Sequence, residues 1–268
     1  MPIWTLYGIT RGIATTSWPG GKDEDVQPGV FGMPDFAPER CRENCRACAD
    51  ACLPGAIDIE ATSSGERLTI DYGKCIACQL CTESCPNDAL TKSKNWAFSV
   101  RKREDLVWAE ALASKPAQEL TKTIQKHFRR SLHIRHVDAG SCNGCESELQ
   151  ALNNPYYNLH RLGVFFTPSP RFADLLLVTG SVTYAMREPL LETYNAMPEP
   201  RWVMATGTCA VSGGVTGGVY SCAHGLEGIL PVDVYLPGCP PNPAAIIHAL
   251  LILLNRAAQK VHGGRYAK

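Results

Sequence analysis

Cysteine spacing constrains this chain more tightly than any other feature, because all but one of its 13 cysteines fall into three groups. The first group is Cys41-x3-Cys45-x2-Cys48-x3-Cys52, and the second is Cys75-x2-Cys78-x2-Cys81-x3-Cys85-Pro86. The third is dispersed: Cys142-Asn-Gly-Cys145, then Cys209 in Gly-Thr-Cys-Ala, then Cys239 in Pro-Gly-Cys-Pro-Pro. Four thiolates at such spacings suit a cubane iron–sulfur cluster, so the inventory implies three 4Fe-4S centres and, with them, electron transfer.

Length and composition narrow the class. The 268 residues leave room for two modest domains or one large one, and a 45% hydrophobic fraction supports a sizeable core. A formal net charge of zero gives no reason to expect nucleic acid as a partner. The start, Met1-Pro-Ile-Trp-Thr, lacks a basic region followed by a long apolar stretch and lacks a twin-arginine signal. The longest apolar run, Ala244 to Leu254, is interrupted by His248 and falls short of the roughly 20 residues that span a bilayer, so it reads as a buried helix. A cytoplasmic location is the expectation. In a reducing compartment, cysteines clustered at CxxC spacings argue for metal ligation rather than disulfides.

The first two groups are an internal repeat. Cys45, Cys48 and Cys52 recur 33 positions later as Cys78, Cys81 and Cys85, and Cys41 recurs 34 later as Cys75. Between them Ile57 and Ile59 answer Leu68 and Ile70 across Ser63-Ser-Gly65, the alternation of a β-hairpin. These features divide the chain into a Gly- and Pro-rich docking arm (1–34), a two-cluster α+β domain (35–103), a charged, helix-prone connector (104–131) and a C-terminal domain (132–268).

From Leu132 the pattern changes. Strand candidates are Leu132–Val137, Leu162–Phe166, Asp174–Thr179, Trp202–Ala205 and Val232–Leu236, with helices starting near Gly144, Tyr184 and Pro243. Strands alternating with helices predict an α/β fold, a flavodoxin-like parallel sheet covered on both faces. Cys142, Cys209 and Cys239 each follow an apolar strand and a Gly-containing turn, and in such sheets ligands gather at the carboxyl ends of the strands. Glycine there lets backbone N–H groups approach the sulfurs. Cys142-Asn-Gly-Cys145 taken alone would also fit zinc.

The second run is the bacterial two-cluster ferredoxin pattern, in which the fourth cysteine of each run serves the other cluster. One centre is therefore expected to use Cys41, Cys45, Cys48 and Cys85, and the other Cys75, Cys78, Cys81 and Cys52. The first run has one residue too many before Cys45, and Arg42 occupies the usual ligand place, so Cys41 is expected to reach the cluster through a small bulge. Cys222 is left over and reads as a structural buried thiol. Glu146 and Glu148 lie where acid favours a helix N-terminus, with a place beside the electron path as the alternative. His133, His136, His160 and His224 lack ligand spacing and read as structural.

Val-Asp-Ala-Gly-Ser-Cys-Asn-Gly-Cys-Glu, Thr-Pro-Ser-Pro-Arg, Leu-Leu-Val-Thr-Gly-Ser-Val-Thr and Val-Asp-Val-Tyr-Leu-Pro-Gly-Cys-Pro-Pro together closely resemble the small subunit of membrane-bound, energy-converting NiFe hydrogenases of the formate hydrogenlyase type. The same fold serves beside the quinone site of respiratory complex I, but those subunits carry adjacent cysteines where Asn143-Gly144 intervene here. Residues 1 to about 105 resemble the separate two-cluster ferredoxin-type subunit of the same complexes. The resemblance implies that Cys142, Cys145, Cys209 and Cys239 hold the cluster proximal to a catalytic nickel–iron site. That site would lie in a large subunit, NiFe-bearing or like the 49 kDa subunit of complex I. It further implies a membrane-anchor subunit beneath and an electron donor such as formate dehydrogenase, carbon monoxide dehydrogenase or a ferredoxin. The chain would then sit peripherally on the cytoplasmic face of the membrane. A complex-I-like quinone oxidoreductase without nickel is the alternative.

Overall fold

The structure, a computed structural model, describes residues 3–11, 18–19, 30–42, 44–62, 65–109 and 131–267. A helix α1 (Ile3–Arg11) opens the chain, followed by a short strand β1 (Asp35–Phe36). The first cysteine run then winds through helix α2 (Ala47–Asp50) into the hairpin β2 (Ile57–Thr62) and β3 (Gly65–Asp71). Its register sets Ile57 opposite Ile70 and Ile59 opposite Leu68, as the alternation predicts. The second run passes through helix α3 (Leu80–Ser84) to strand β4 (Leu90–Thr91), which pairs antiparallel with β1. Asn44 and Ala77, at equivalent places before Cys45 and Cys78, are both left-handed, with φ of 57° and 54°. The two runs thus make the same turn despite the extra residue in the first.

The connector departs from expectation at its start. Residues Arg103–Leu106 form a single 3₁₀ turn, and Val107–Ala109 is a strand, β5, paired antiparallel with β3. Glu104 and Asp105 favour a helix locally, but Trp108 lies opposite Ile70 and meets Phe36 edge-on at 4.6 Å. Aromatic packing on a half-buried sheet decides the outcome over local propensity. The rest of the expected helical connector, 110–130, lies outside the described residues.

The C-terminal half runs β6 (Leu132–Asp138), α4 (Gly144–Ala151), β7 (Val164–Phe166), β8 (Leu175–Thr179), α5 (Tyr184–Asn195), β9 (Trp202–Thr206), α6 (Thr208–Ser212), β10 (Val234–Leu236) and α7 (Pro243–Leu253). A closing hairpin, β11 (Val261–His262) and β12 (Arg265–Tyr266), follows. Five strands form one parallel sheet in the order β7-β6-β8-β9-β10. That is the flavodoxin-like 2-1-3-4-5 order. Leu162 belongs to a 3₁₀ turn rather than to β7, because Gly163 turns the chain with φ of 76° before the strand begins.

Alternation along the strands sorts the core into two layers. Leu132, Ile134, Leu175, Leu177, Trp202, Met204, Val234 and Leu236 face the α4 and α7 side. Every residue of α7 is buried, and Asn242 caps it by accepting from the Ala245 N–H at 2.7 Å. Val137, Leu176, Val178, Val203 and Ala205 face the other way, into a core shared with Ile70, Tyr72, Phe98 and Val100 of the N-terminal half. At about 1.5–3 kcal/mol for each large side chain buried, this shared layer fixes the two halves together. Val100 and Tyr235 also exchange backbone hydrogen bonds of 2.9 and 2.8 Å, and Gln259 donates to Asp105 at 2.9 Å.

Within the arm 1–34, helix α1 leaves Ile3, Leu6, Tyr7 and Ile9 exposed. Among the described residues no helix is long and apolar enough to cross a membrane.

Candidate functional site: three cysteine quartets

The fold draws the cysteines into three groups of four. Cys41, Cys45, Cys48 and Cys85 line one cleft with Phe36, Pro86 and Leu90. Burial raises the Cys41 thiol pKa, and Cys85 and Cys45 add like-charge repulsion. Burial pushes Cys48 up to about 11, with Cys41 and Cys85 as its charged neighbours. The second group shows the reciprocal exchange. Cys75 is pushed up to about 12 by burial, with Cys81, Cys52 and Cys78 around it. Cys81 is raised to about 11, first by burial and then by repulsion from Cys52 and Cys78. Cys85 thus faces the first run and Cys52 the second.

Backbone amides reach these sulfurs symmetrically. The Ala56 N–H donates to Cys52 Sγ and the Ala89 N–H to Cys85 Sγ, each at 3.2 Å. Ala77 N–H approaches Cys75 Sγ at 3.4 Å. Ala56 and Ala89 stand four positions after the last cysteine of each run, where the chain turns into β2 and towards β4. Such N–H···S bonds are a main lever on cluster potential.

The third group sits at the carboxyl edge of the parallel sheet. Cys142 and Cys145 follow β6, Cys209 opens α6 after β9, and Cys239 follows β10. Burial raises Cys145 strongly, with Glu146, Cys209, Cys239 and Cys142 adding to it. Burial likewise lifts Cys209 to about 11, beside Cys239 and Cys142. A Cβ on Gly207, whose φ is 87°, would lie 2.6 Å from Cys145 Sγ, and one on Gly214 would lie 3.0 Å from Cys209 Sγ. Glycine is required there because the backbone passes against the sulfurs.

Acidic and hydroxyl groups fix the Cys142 turn. Asp138 Oδ1 accepts from the N–H groups of Gly140 at 2.8 Å and Ser141 at 2.7 Å. Glu146 accepts from Ser141 Oγ at 2.7 Å and from the Thr179 hydroxyl, and stands 3.5 Å from His136 Nε2. Burial lowers the His136 pKa against the opposing pull of Glu146 and Asp138. Glu146 is therefore a bonded part of the turn rather than a solvated helix-cap charge, its side chain only 13% exposed. Glu148 lies on the wall of a cleft with Ile76, Ala77, Trp96 and Pro237 to Asn242, and burial raises its pKa. His133 and His160 stack on Phe165 at 5.9 and 5.2 Å. Cys222 is buried, bonded by Ser181 and Ser221, and near enough to Cys209 to raise that thiol.

The donor set suits iron–sulfur clusters. The first quartet lines a cleft with Phe36, Pro86 and Leu90, and four thiol donors per group match the ligand set of a cubane cluster. Buried thiols with raised pKa values ionise only against a strong cation, and a coordinated metal supplies it. Sequence reasoning did not anticipate Thr208 and Ser212, whose hydroxyls join the third group to the second. No local pattern marks them.

A flavodoxin-like sheet with cysteines at its carboxyl edge, joined to a repeated cysteine hairpin, defines an iron–sulfur electron carrier. Residues 142–253 match the family described as NADH ubiquinone oxidoreductase, 20 Kd subunit, and residues 40–89 match the 4Fe-4S dicluster domain. Formate hydrogenlyase subunit 7 of Escherichia coli is 42% identical over 57% of this chain. The matched region spans 58% of that subunit's length. A probable membrane-bound hydrogenase subunit, mbhJ, of Pyrococcus furiosus is 42% identical over 52% of this chain and 83% of its own. A chain from an archaeal membrane-bound sulfane sulfur reductase structure is 33% identical, covers 54% of this chain and 81% of itself, and has a TM-score of 0.44. The chain belongs to the 20 kDa subunit family, which includes the small subunits of NiFe hydrogenases, with a 4Fe-4S dicluster domain at its N-terminal side.

Proposed function

We propose that the chain carries electrons through three 4Fe-4S clusters to or from the large subunit of a membrane-anchored NiFe hydrogenase. Cys41, Cys45, Cys48 and Cys85 hold one cluster, Cys52, Cys75, Cys78 and Cys81 the second, and Cys142, Cys145, Cys209 and Cys239 the third. The dicluster domain covers 35–103 and the sheet domain 132–268, with the arm 1–34 and the connector 104–131 as further segments. When bound, each cluster supplies one-electron exchange. The residues hold thiolates in place, donate backbone N–H groups to sulfur and, through the shared core, keep the quartets at fixed separation.

The observation that supports this reading is that cysteines from separate parts of the chain come together: Cys85 beside Cys41 and Cys48, Cys52 beside Cys75 and Cys81, and Cys142, Cys209 and Cys239 beside Cys145. The Asn143-Gly144 spacing between Cys142 and Cys145 favours the hydrogenase form. The matched family description, a subunit of a quinone reductase, favours a second reading: the same wire serving quinone without nickel. In either case a membrane subunit docks beneath, on the cytoplasmic side. The donor is a formate or carbon monoxide dehydrogenase or a ferredoxin. Purification of the complex tests the choice. Nickel with hydrogen evolution supports the first reading, and quinone reduction without nickel replaces it with the second.

A further inference from the structure

A buried hydroxyl links the turns of the second and third quartets. Thr208, immediately before Cys209, is 1% exposed. Its Oγ1 donates to the Cys75 carbonyl at 2.9 Å and accepts from the Gly238 N–H at 3.0 Å. Gly238 immediately precedes Cys239, so one side chain touches the turns of Cys75, Cys209 and Cys239 together. The Thr208 N–H also donates to the Gly238 carbonyl at 2.9 Å.

A second hydroxyl on the same short helix repeats the clamp. Ser212 Oγ bonds the Gly73 carbonyl at 2.9 Å and the Thr208 carbonyl at 3.1 Å. The turn it grips is itself fixed: Arg103 forms a paired bridge to Asp71 at 2.8 and 2.6 Å, and the Gly73 N–H donates to Asp71 Oδ1 at 2.9 Å. None of these bonds involves the first quartet.

We propose that Thr208 is the positioning residue that couples the second quartet to the third and makes the Cys75 turn the exit of the N-terminal half. This rests on the electron-carrier reading above and adds the residue through which its two halves communicate. One electron leaves the carrier held by Cys52, Cys75, Cys78 and Cys81 and is gained by the one held by Cys142, Cys145, Cys209 and Cys239. No proton moves and no bond is made or broken at Thr208. The hydroxyl fixes the separation of the two turns and supplies a hydrogen-bonded route from the Cys75 carbonyl to the residue bonded to Cys209. Valine has nearly the shape of threonine but can neither donate nor accept, and it leaves a buried carbonyl and a buried N–H without partners.

The test compares the full-length chain with its Thr208→Val and Thr208→Ser variants, each analysed for iron, then reduced with dithionite and followed by freeze-quench electron paramagnetic resonance. The expected result is unchanged iron in Thr208→Val, an altered spin–spin interaction between the second and third centres, and several-fold slower electron arrival at the third. Thr208→Ser restores both. Wild-type spectra and kinetics in Thr208→Val overturn the inference. Should Thr208→Val lose iron, Ser212→Ala takes its place, with slowed transfer supporting the clamp and wild-type transfer overturning it. A wild-type chain that binds no iron overturns the electron-carrier reading itself, a failure read directly from the metal content.

Discussion

The N-terminal half and the parallel sheet reach the same end, four thiols around one space, by opposite means. In the first, cysteines are close in sequence and the chain wraps around them with little core of its own beyond the hairpin and Trp108. In the second, the thiols are up to 97 positions apart, Cys142 to Cys239, and the sheet brings their turns to one edge. Small cysteine-bound folds draw much of their folding free energy from the metal, whereas a buried five-stranded sheet draws it from apolar contact. The comparison teaches that the dicluster half depends on both its clusters and its neighbour, since one of its layers is the underside of the sheet.

Chelation should break the comparison most visibly. Stripping iron is expected to abolish amide protection in the hairpin and the two cysteine turns while β6, β8, β9 and α7 stay protected. Hydrogen exchange reads both halves at once, and equal loss in the two would contradict the contrast. Residues 1–105 expressed alone should be poorly stable even with iron, because Ile70, Tyr72, Phe98 and Val100 lose their cover.

Substitution of single thiols sharpens the same contrast. Cys209→Ser should remove about four of about twelve iron atoms and leave the dicluster signals intact. Cys222→Ser, although adjacent, should keep the full iron content, and metal analysis with spectroscopy decides between them.

Smaller effects concern the supports. Arg103→Met leaves the half-enclosed Asp71 charge without its paired partner, side chains that are 15% and 19% exposed. It should cost about 3 kcal/mol, seen as a lower urea midpoint for the N-terminal half. His248, inside α7, has its pKa lowered to about 4, first by burial and then by Lys260, from an ordinary 6.5. The unfolded chain therefore takes up a proton before the folded one, and stability falls as pH drops from 6.5 towards 4. The loss should be about 2 kcal/mol at pH 5. His248→Leu should flatten that slope, which parallel urea titrations of the two proteins at several pH values would measure.

What could be read in the sequence follows the same division. The hairpin register was legible because Ile57, Ile59, Leu68 and Ile70 alternate within one short segment. The sheet was legible because four of its five strands, all but β7, run into a glycine turn at Gly140, Gly180, Gly207 or Gly238. Strand β5 was not, since Glu104-Asp-Leu-Val-Trp favours a helix until Trp108 finds Ile70 and Phe36. Helix α6 spans only five residues and shows no period. Glu146 was read as an acid at a helix N-terminus or as a neighbour of the electron path, and its partners were not legible because Thr179 and His136 come from strands β8 and β6. The Thr208 hydroxyl bond to Cys75 joins positions 133 apart, and nothing in Gly-Thr-Cys-Ala announces it.

The central claim, three complete quartets each holding a cluster, is tested most directly by anaerobic iron and acid-labile sulfide analysis of the intact chain. About twelve of each per chain is the predicted result. A value near eight would remove the third centre from the sheet edge, and substantial zinc would contradict the scheme.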